Sequence, residues 1–188
     1  MELFIKKHCH LSLKSRSELP EMYRALRIDY PKFFKMDNLS KLGFLASEIL
    51  FKDETVRFTP REDIALIGFN SSSSLDTDRN YQATIRDADN YFPSPSVFVY
   101  TLPNMVAGEI AIRNRFYCET FFYICENFDV GETANKIRLS FTDSVIRSVL
   151  AFWIEYTEET KEVFMIWVDK EKNKLPFSEE QLSILYNK

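Results

Sequence analysis

Glycine is scarce in this chain. Only 4 occur in 188 residues, and none brackets a serine as Gly-x-Ser-x-Gly, so the strained elbow that exposes a serine nucleophile is excluded. The same scarcity denies the serine run at residues 71–74, in "FNSSSSLDTD", the Gly-rich, lysine-bearing frame of a phosphate-binding loop. Cysteine is limited to Cys9, Cys118 and Cys125, an odd number at spacings that build no disulfide framework, which fits a reducing, cytoplasmic setting. The only histidines, His8 and His10, flank Cys9. On a strand they share one face and Cys9 takes the other, so without a second ligand cluster they read as a solvent-facing pair, and no metal or cofactor is expected. Long apolar runs are missing too. The N-terminal "MELFIKKHCHLSL" is too short and too broken for a signal segment, and nothing is long enough to span a bilayer, so no membrane is expected. Positive charge is not in excess: 24 Lys and Arg face 28 Asp and Glu for a net charge of -4. The cations are also scattered, so the chain is not expected to bind nucleic acid.

What is present is bulk. The 17 Phe and 9 Tyr mark a chain rich in large core and interface side chains, and its length suits one domain, residues 1–188. "ELFIKK" alternates as a first strand. The segment 15–36, broken by Pro20 and Pro31, reads as irregular or partly helical. "MDNLSKLGFLASEILFKD" spaces Leu39, Leu42, Leu45 and Ile49 as a helix, with Asp37 or Asn38 as N-cap. Residues 64–69 form an apolar run of the kind buried on both faces of a parallel sheet. The serine loop follows, expected to cap a helix from about Asp76 through Ser73, Ser74 or Asp76, and it lies at the carboxyl end of a central strand, where α/β sheets bind ligands. Pro93, Pro95 and Pro103 predict an extended segment. After it, "NMVAGEIAIRNR" reads as a helix whose Ala107, Gly108 and Ala111 invite close approach by another backbone. The strand "CETFFYIC" comes next. From Ser140, the stripe Phe141, Val145, Val149, Leu150 and Trp153 predicts a long buried helix, "KEVFMIWVDK" a strand, and Ser178 with Gln181 a capping box opening a final helix. Alternation of strands and helices gives an α/β fold with a mainly parallel mixed sheet flanked by helices.

Cys125 ends a strand, where a nucleophile is often kept. A reactive thiol needs a depressed pKa, whereas Glu126 and Asp129 beside it push the other way, and the histidines lie on the first strand.

"RIDYPKFFKMDNLSKLGFLASEIL", "DIALIGFNSSSSLDTD" and "FPSPSVFVYTLPNMVAGEIAIRNRF" resemble, in order and spacing, the N-terminal half of β-ketoacyl synthases of the thiolase superfamily. The likeness is good from about Tyr30 to Phe116 and looser as far as "VFMIWVDK". It implies a thiolase-like half-fold in which the strand holding Phe121, Phe122 and Tyr123 is an edge strand pairing antiparallel with the same strand of another subunit. It also implies that Asn104, Met105 and Gly108 face a ligand or line an acyl tunnel. In the family the catalytic cysteine sits in a turn of small residues after that strand. A gapless count from Asn104 and Gly108 reaches about Asn127, two residues past Cys125, and "ICENFD" has none of the small residues. The family's histidines belong to a second half, which this chain is expected to lack.

The resemblance therefore implies a non-catalytic ketosynthase-like subunit. It would pair with a full ketosynthase or with itself in fatty-acid, polyketide or aryl-polyene-type synthesis, as chain-length factors do. Two alternatives stand beside it. One is a small acyl-transfer or thioester enzyme using Cys125 or Cys118. The other is a module binding an acyl carrier protein, to which Arg113, Arg115 and Lys136 would offer positive charge.

Overall fold

The computed structural model describes residues 2–54, 57–173 and 175–187. Five strands, β1 (Phe4–Ser12), β2 (Ile64–Asn70), β3 (Thr120–Ile124), β4 (Ser148–Tyr156) and β5 (Lys161–Asp169), form one sheet in the order β1-β5-β4-β2-β3. β5 alone runs antiparallel to its neighbours; β1, β4, β2 and β3 share one direction, so the sheet is mixed and mainly parallel, as expected.

The helices α1 (Glu18–Ala25), α2 (Asn38–Leu50), α3 (Leu75–Ala83), α4 (Pro95–Phe98), α5 (Met105–Asn114), α6 (Val130–Ser140) and α7 (Glu179–Tyr186) divide between the two faces and the carboxyl edge of the sheet. α1, α2 and α5 cover one face, where Phe33, Leu42, Phe44 and Ile110 pack on Leu66 and Phe152. α6 and α7 cover the other, where Ala134, Ile137, Leu182 and Leu185 pack on Ile67 and Ile166. Every residue of β2 is buried, the signature of a strand between two helix layers.

Several local expectations hold. Asp37 caps α2, its carboxylate accepting from the Ser40 amide at 3.0 Å, and the Ser178 hydroxyl accepts from the Gln181 amide at 3.1 Å to open α7. Others are corrected. The long helix expected from Ser140 is the strand β4, buried along all its residues. A run apolar at nearly every position satisfies a helical stripe and a strand equally, and Val149, Phe152, Trp153, Ile154 and Tyr156 are residue types that favour the strand. The helix lies earlier, as α6, whose apolar stripe is short and whose first turn is capped by Asp129 at 2.8 Å from the Glu132 amide. The proline segment is not extended: Pro95 occupies the first turn of α4, and Val99–Thr101 continues as a 3-10 turn.

The close helix approach also sits elsewhere. A methyl group on Gly108 would meet nothing within 4 Å, whereas one on Gly43 of α2 would lie 2.3 Å from Cγ2 of Val106 in α5. Gly68, at the centre of β2, is as tightly held: an added Cβ would stand 2.5 Å from the Phe122 ring and 2.8 Å from the Phe152 ring. Gly68→Ala should therefore destabilise the fold by about 1–3 kcal/mol through overpacking. Trimming the edge ring in Gly68→Ala/Phe122→Leu should recover part of that loss in urea unfolding, because the two changes share one contact.

Candidate functional site

Because β1, β4, β2 and β3 run in one direction, their carboxyl ends and the loops that leave them gather on one edge. The serine loop leaves β2 there. Several of its polar groups are bonded within the loop or to the strand ends beside it. Asn70, fully buried, accepts from the Ser73 amide at 3.1 Å and donates to the Ser73 carbonyl at 2.7 Å. The buried carboxylate of Glu155, at the end of β4, accepts from the Ser71 amide and the Ser72 hydroxyl. Ser74 stands at the N-cap of α3, but its side chain does not cap; it donates to the Thr101 carbonyl at 2.6 Å and bonds Asp78. The expected cap from Ser74 is thus replaced by a loop closed from within by Asn70 and Glu155.

The elbow between β3 and α6, residues 125–129, is the second element on this edge. Its start is fixed by the Cys125 amide, which donates to the Asn70 carbonyl at 2.8 Å and extends the β2–β3 pairing by one residue. Its end is fixed by the Asp129 cap. Between them Phe128 turns inward, its ring 4.1 Å from that of Tyr186, 5.8 Å from Phe164 and 5.9 Å from Trp153. Cys125 and Asn127 come together on a cavity of about 220 Å³, with Glu126, Asp129, Phe69 and Trp153 in its walls. The turn from β3 to α6 is thus built with bulky residues where a tight turn would use small ones.

The electrostatics of the cavity oppose nucleophilic chemistry. Cys125 is half-buried; burial pushes its thiol above the ordinary range, Glu132 and Asp129 add to the rise, and Lys136 only partly opposes it. The His10 imidazole meets the elbow only through the Tyr186 and Phe164 rings that it shares with Phe128. β1 lies at the opposite margin of the sheet from β3, and His10 bonds Glu162 at 2.6 Å and stacks 5.5 Å from Tyr186. His10 is thus a half-buried member of an aromatic cluster, not half of a solvent-facing pair. Among the described residues no group of three or more His, Cys, Asp or Glu is arranged to hold a metal ion, and no helix is long and apolar enough to cross a membrane.

The remaining candidates are dispersed. Asn104 is exposed at the N-cap of α5, Met105 rests half-buried against the core shared by α2 and α5, and Gly108 is half-buried. Phe122 turns toward α5 and Phe152, whereas Tyr123 turns toward α6, stacked on Phe69 at 5.4 Å. Phe121 is 43% exposed, and its neighbour Ile124, which the sequence reading passed over, is 52% exposed. Arg113 is no solvated surface charge: it pairs with the buried Glu48 at 2.8 Å, beside Arg57, and lies over the Tyr30 ring. Arg115 is exposed at the left-handed end of α5, and Lys136 lies 4.9 Å from the Tyr123 ring. Cys118 is half-buried with its thiol also raised by burial.

No family model matches the chain, and no curated protein matches it. Solved structures do. The fold is similar to the complex of a ketosynthase with its chain length factor from Xenorhabdus doucetiae, at 12% identity and a TM-score of 0.63 over 92% of this chain and 81% of that one. It is also similar to the ishigamide ketosynthase/chain length factor, at 15% identity and a TM-score of 0.70 over 93% of this chain and 64% of that one. A third likeness is to a type II polyketide synthase acyl-carrier protein in complex with its hexaketide-bound ketosynthase, at 10% identity and a TM-score of 0.63 over 90% and 62%. This chain thus spans less than two thirds of the length of the latter two. The fold is thiolase-like α/β.

A thiol held protonated reacts slowly with electrophiles, since the thiolate is the nucleophile. At pH 7 Cys125 should be alkylated by iodoacetamide more slowly in the folded protein than in a peptide of residues 120–132, with its rate rising at higher pH than the peptide's. Cys9, whose burial pushes its thiol up to about 11, should be the slowest of the three. Mass spectrometry of tryptic fragments reads all three rates.

Proposed function

We propose that the chain is a ketosynthase-like partner subunit that associates through the open edge of β3, either with a ketosynthase or with a second copy of itself. One observation carries this reading. β3 pairs only with β2 among the described residues, and the unpaired side offers backbone groups between the exposed side chains of Phe121 and Ile124. A bare, apolar sheet edge is a template for another strand, and large aromatic residues suit the centre of an interface. The opposite edge is treated differently: β1 is bordered by the segment after β5, with the Ile5 amide donating to the Leu175 carbonyl and the Phe177 amide to the Leu3 carbonyl, each at 2.8 Å.

The similar complexes support pairing as the role. Two of them are described as a ketosynthase with a chain length factor. The elbow supports a role outside catalysis, since burial and the carboxylates Glu132 and Asp129 raise the Cys125 thiol pKa. The Cys125 enzyme reading loses ground on the same grounds. Association with an acyl carrier protein remains compatible with the third complex, but Arg113 is committed to Glu48 and leaves Arg115 and Lys136 as the cations for it. The synthesis served would be of the fatty-acid, polyketide or aryl-polyene type.

Multi-angle light scattering tests the pairing. The purified chain should run as a dimer, or as a one-to-one complex when co-expressed with a ketosynthase of its own genome. Phe121→Asp/Ile124→Asp should run as a single chain in both settings, with an unchanged circular-dichroism melt. A wild-type chain that stays single in both settings overturns the proposal.

A further inference from the structure

A second concave region opens on the same carboxyl edge, on the α2 side of the sheet. Two cavities meet there and share Arg16, Asn38 and Lys41 in their walls. One, of about 370 Å³, is an apolar slot. Leu19 and Phe33, both buried, form its inner wall, and Pro20 and the 56% exposed Phe34 form its lip. The other, of about 260 Å³, is polar, with Lys35 and Thr77 beside Asp37 and Tyr100. Both volumes are near those of sites that hold small organic ligands.

The charges at the junction are not balanced by the protein. Among the described residues no carboxylate lies within ion-pair distance of Arg16, Lys35 or Lys41. Asp37, the one carboxylate in the polar cavity, has both oxygens engaged, accepting from the Ser40 amide at 3.0 Å and the Thr77 hydroxyl at 2.7 Å. Asp76 behind it is engaged by the Asn38 amide at 2.8 Å. Tyr100 donates to Glu109 at 2.8 Å, and Lys32 neutralises Glu109 from outside. Burial first, and then the neighbouring Arg16 guanidinium, hold Lys41 below its ordinary pKa, and the Asp37 carboxylate opposes them only in part. A bound anion would relieve that repulsion and raise the Lys41 pKa again.

We propose that this junction is a binding site for an amphipathic anion with an acyl chain, a fatty carboxylate, its head between Arg16 and Lys41 and its chain in the slot between Leu19, Pro20, Phe33 and Phe34. A slot of about 370 Å³ whose inner wall is the buried Leu19 and Phe33 is of a size for one apolar chain. The three cations at its mouth outnumber the single carboxylate Asp37, so a single negative head is complemented. The site is separate from the β3 edge and from the elbow, so it stands or falls independently of the pairing proposed above.

Isothermal titration of the full chain with dodecanoate, kept below its micelle concentration, tests the site against three controls: dodecanol, acetate, and an acidic acyl carrier protein without an acyl group. Dodecanoate should bind at least tenfold tighter than dodecanol, which lacks the head, and than acetate, which lacks the chain. Arg16→Gln/Lys41→Met, which keeps much of both stems and removes both charges, should weaken dodecanoate at least tenfold and leave dodecanol unchanged. Phe34→Ala should weaken dodecanoate by a smaller factor. Equal affinity for dodecanol, or dodecanoate binding indifferent to the double substitution, overturns the proposal. So does a protein that ignores dodecanoate but binds the carrier in a way the double substitution abolishes, which would assign the same cations to a protein surface. The pairing measured by light scattering should be the same for the double variant and the wild type.

Discussion

Double burial of β2 and β4 is the constraint on which the rest of this structure depends. Every residue of both strands is out of solvent, so the sheet needs a helix layer on each face. α1, α2 and α5 supply one, and α6 and α7 the other. With strands packed this closely, the side chains over β2 have almost no room. Gly68 is the point where the Phe122 and Phe152 rings meet across it, so a glycine is kept where close approach, rather than an unusual backbone angle, requires it. That contact also anchors β3. Its outer side carries no strand, yet its inner face is locked to the core through Phe122 and stacked through Tyr123 on Phe69. A rigid strand with a bare edge is better prepared to pair than a frayed one, because less order has to be gained on association.

The shared direction of four strands decides where polar chemistry can gather. Their carboxyl ends bring together the start of α1, the serine loop and the elbow. Most polar groups there are already committed to holding loops: Asn70 and Glu155 to the serine loop, Asp37 to α2, Asp129 to α6. Buried polar groups left without partners would be costly, and this edge spends its side chains avoiding that cost. The groups left over are the cations at Arg16, Lys35 and Lys41 and the carboxylates around Cys125. These two sets lie on opposite sides of the sheet and favour opposite kinds of ligand.

Local chemistry was legible in the sequence wherever one residue does one local job. The Asp37 and Ser178 caps and the doubly buried strand β2 follow from neighbouring residue types, whereas the edge character of β3 came only with the resemblance to ketosynthases. Periodicity failed where composition saturated it: β4 is apolar at so many positions that a helical stripe could be drawn through a strand. The small-residue pattern of α5 named no partner, and the close approach is made by Gly43 of α2 against Val106 while Gly108 has open space, because sequence does not say which helix yields space. Arg113 looked like a surface cation because its partner Glu48 is 65 residues away in sequence. His10 was misread for the same reason, since Glu162 and Tyr186 reach it only after folding. The cationic junction was invisible in the sequence: Arg16 and Lys41 belong to segments separated by a helix and a turn, and neither has a local partner to draw notice.

The elbow between β3 and α6 shows how a turn from strand to helix can be set by bulk. A turn from strand to helix can be tightened by small residues, which let backbone amides point into a site, or it can be filled. Here it is filled. Phe128 occupies the inside of the turn and packs on Trp153, Phe164 and Tyr186, so the conformation of residues 125–129 is set by an apolar anchor that reaches as far as the C-terminal helix α7. With Phe128 inward, the flanking Asn127 is turned outward and exposed, and Cys125, two residues before it, stays half-buried against the cavity wall. Asn127 has no proton to lose and no nucleophile to offer, and Cys125 faces carboxylates that favour its neutral form. Making the Cys125 thiol reactive would therefore take more than one substitution. The anchor would have to leave, the carboxylates Asp129 and Glu132 would have to be replaced, and Asp129 is also the cap on which the first turn of α6 depends. Burial makes the largest contribution to holding the thiol neutral and Asp129 the smallest, so the packing of the elbow, more than its cap, keeps Cys125 unreactive.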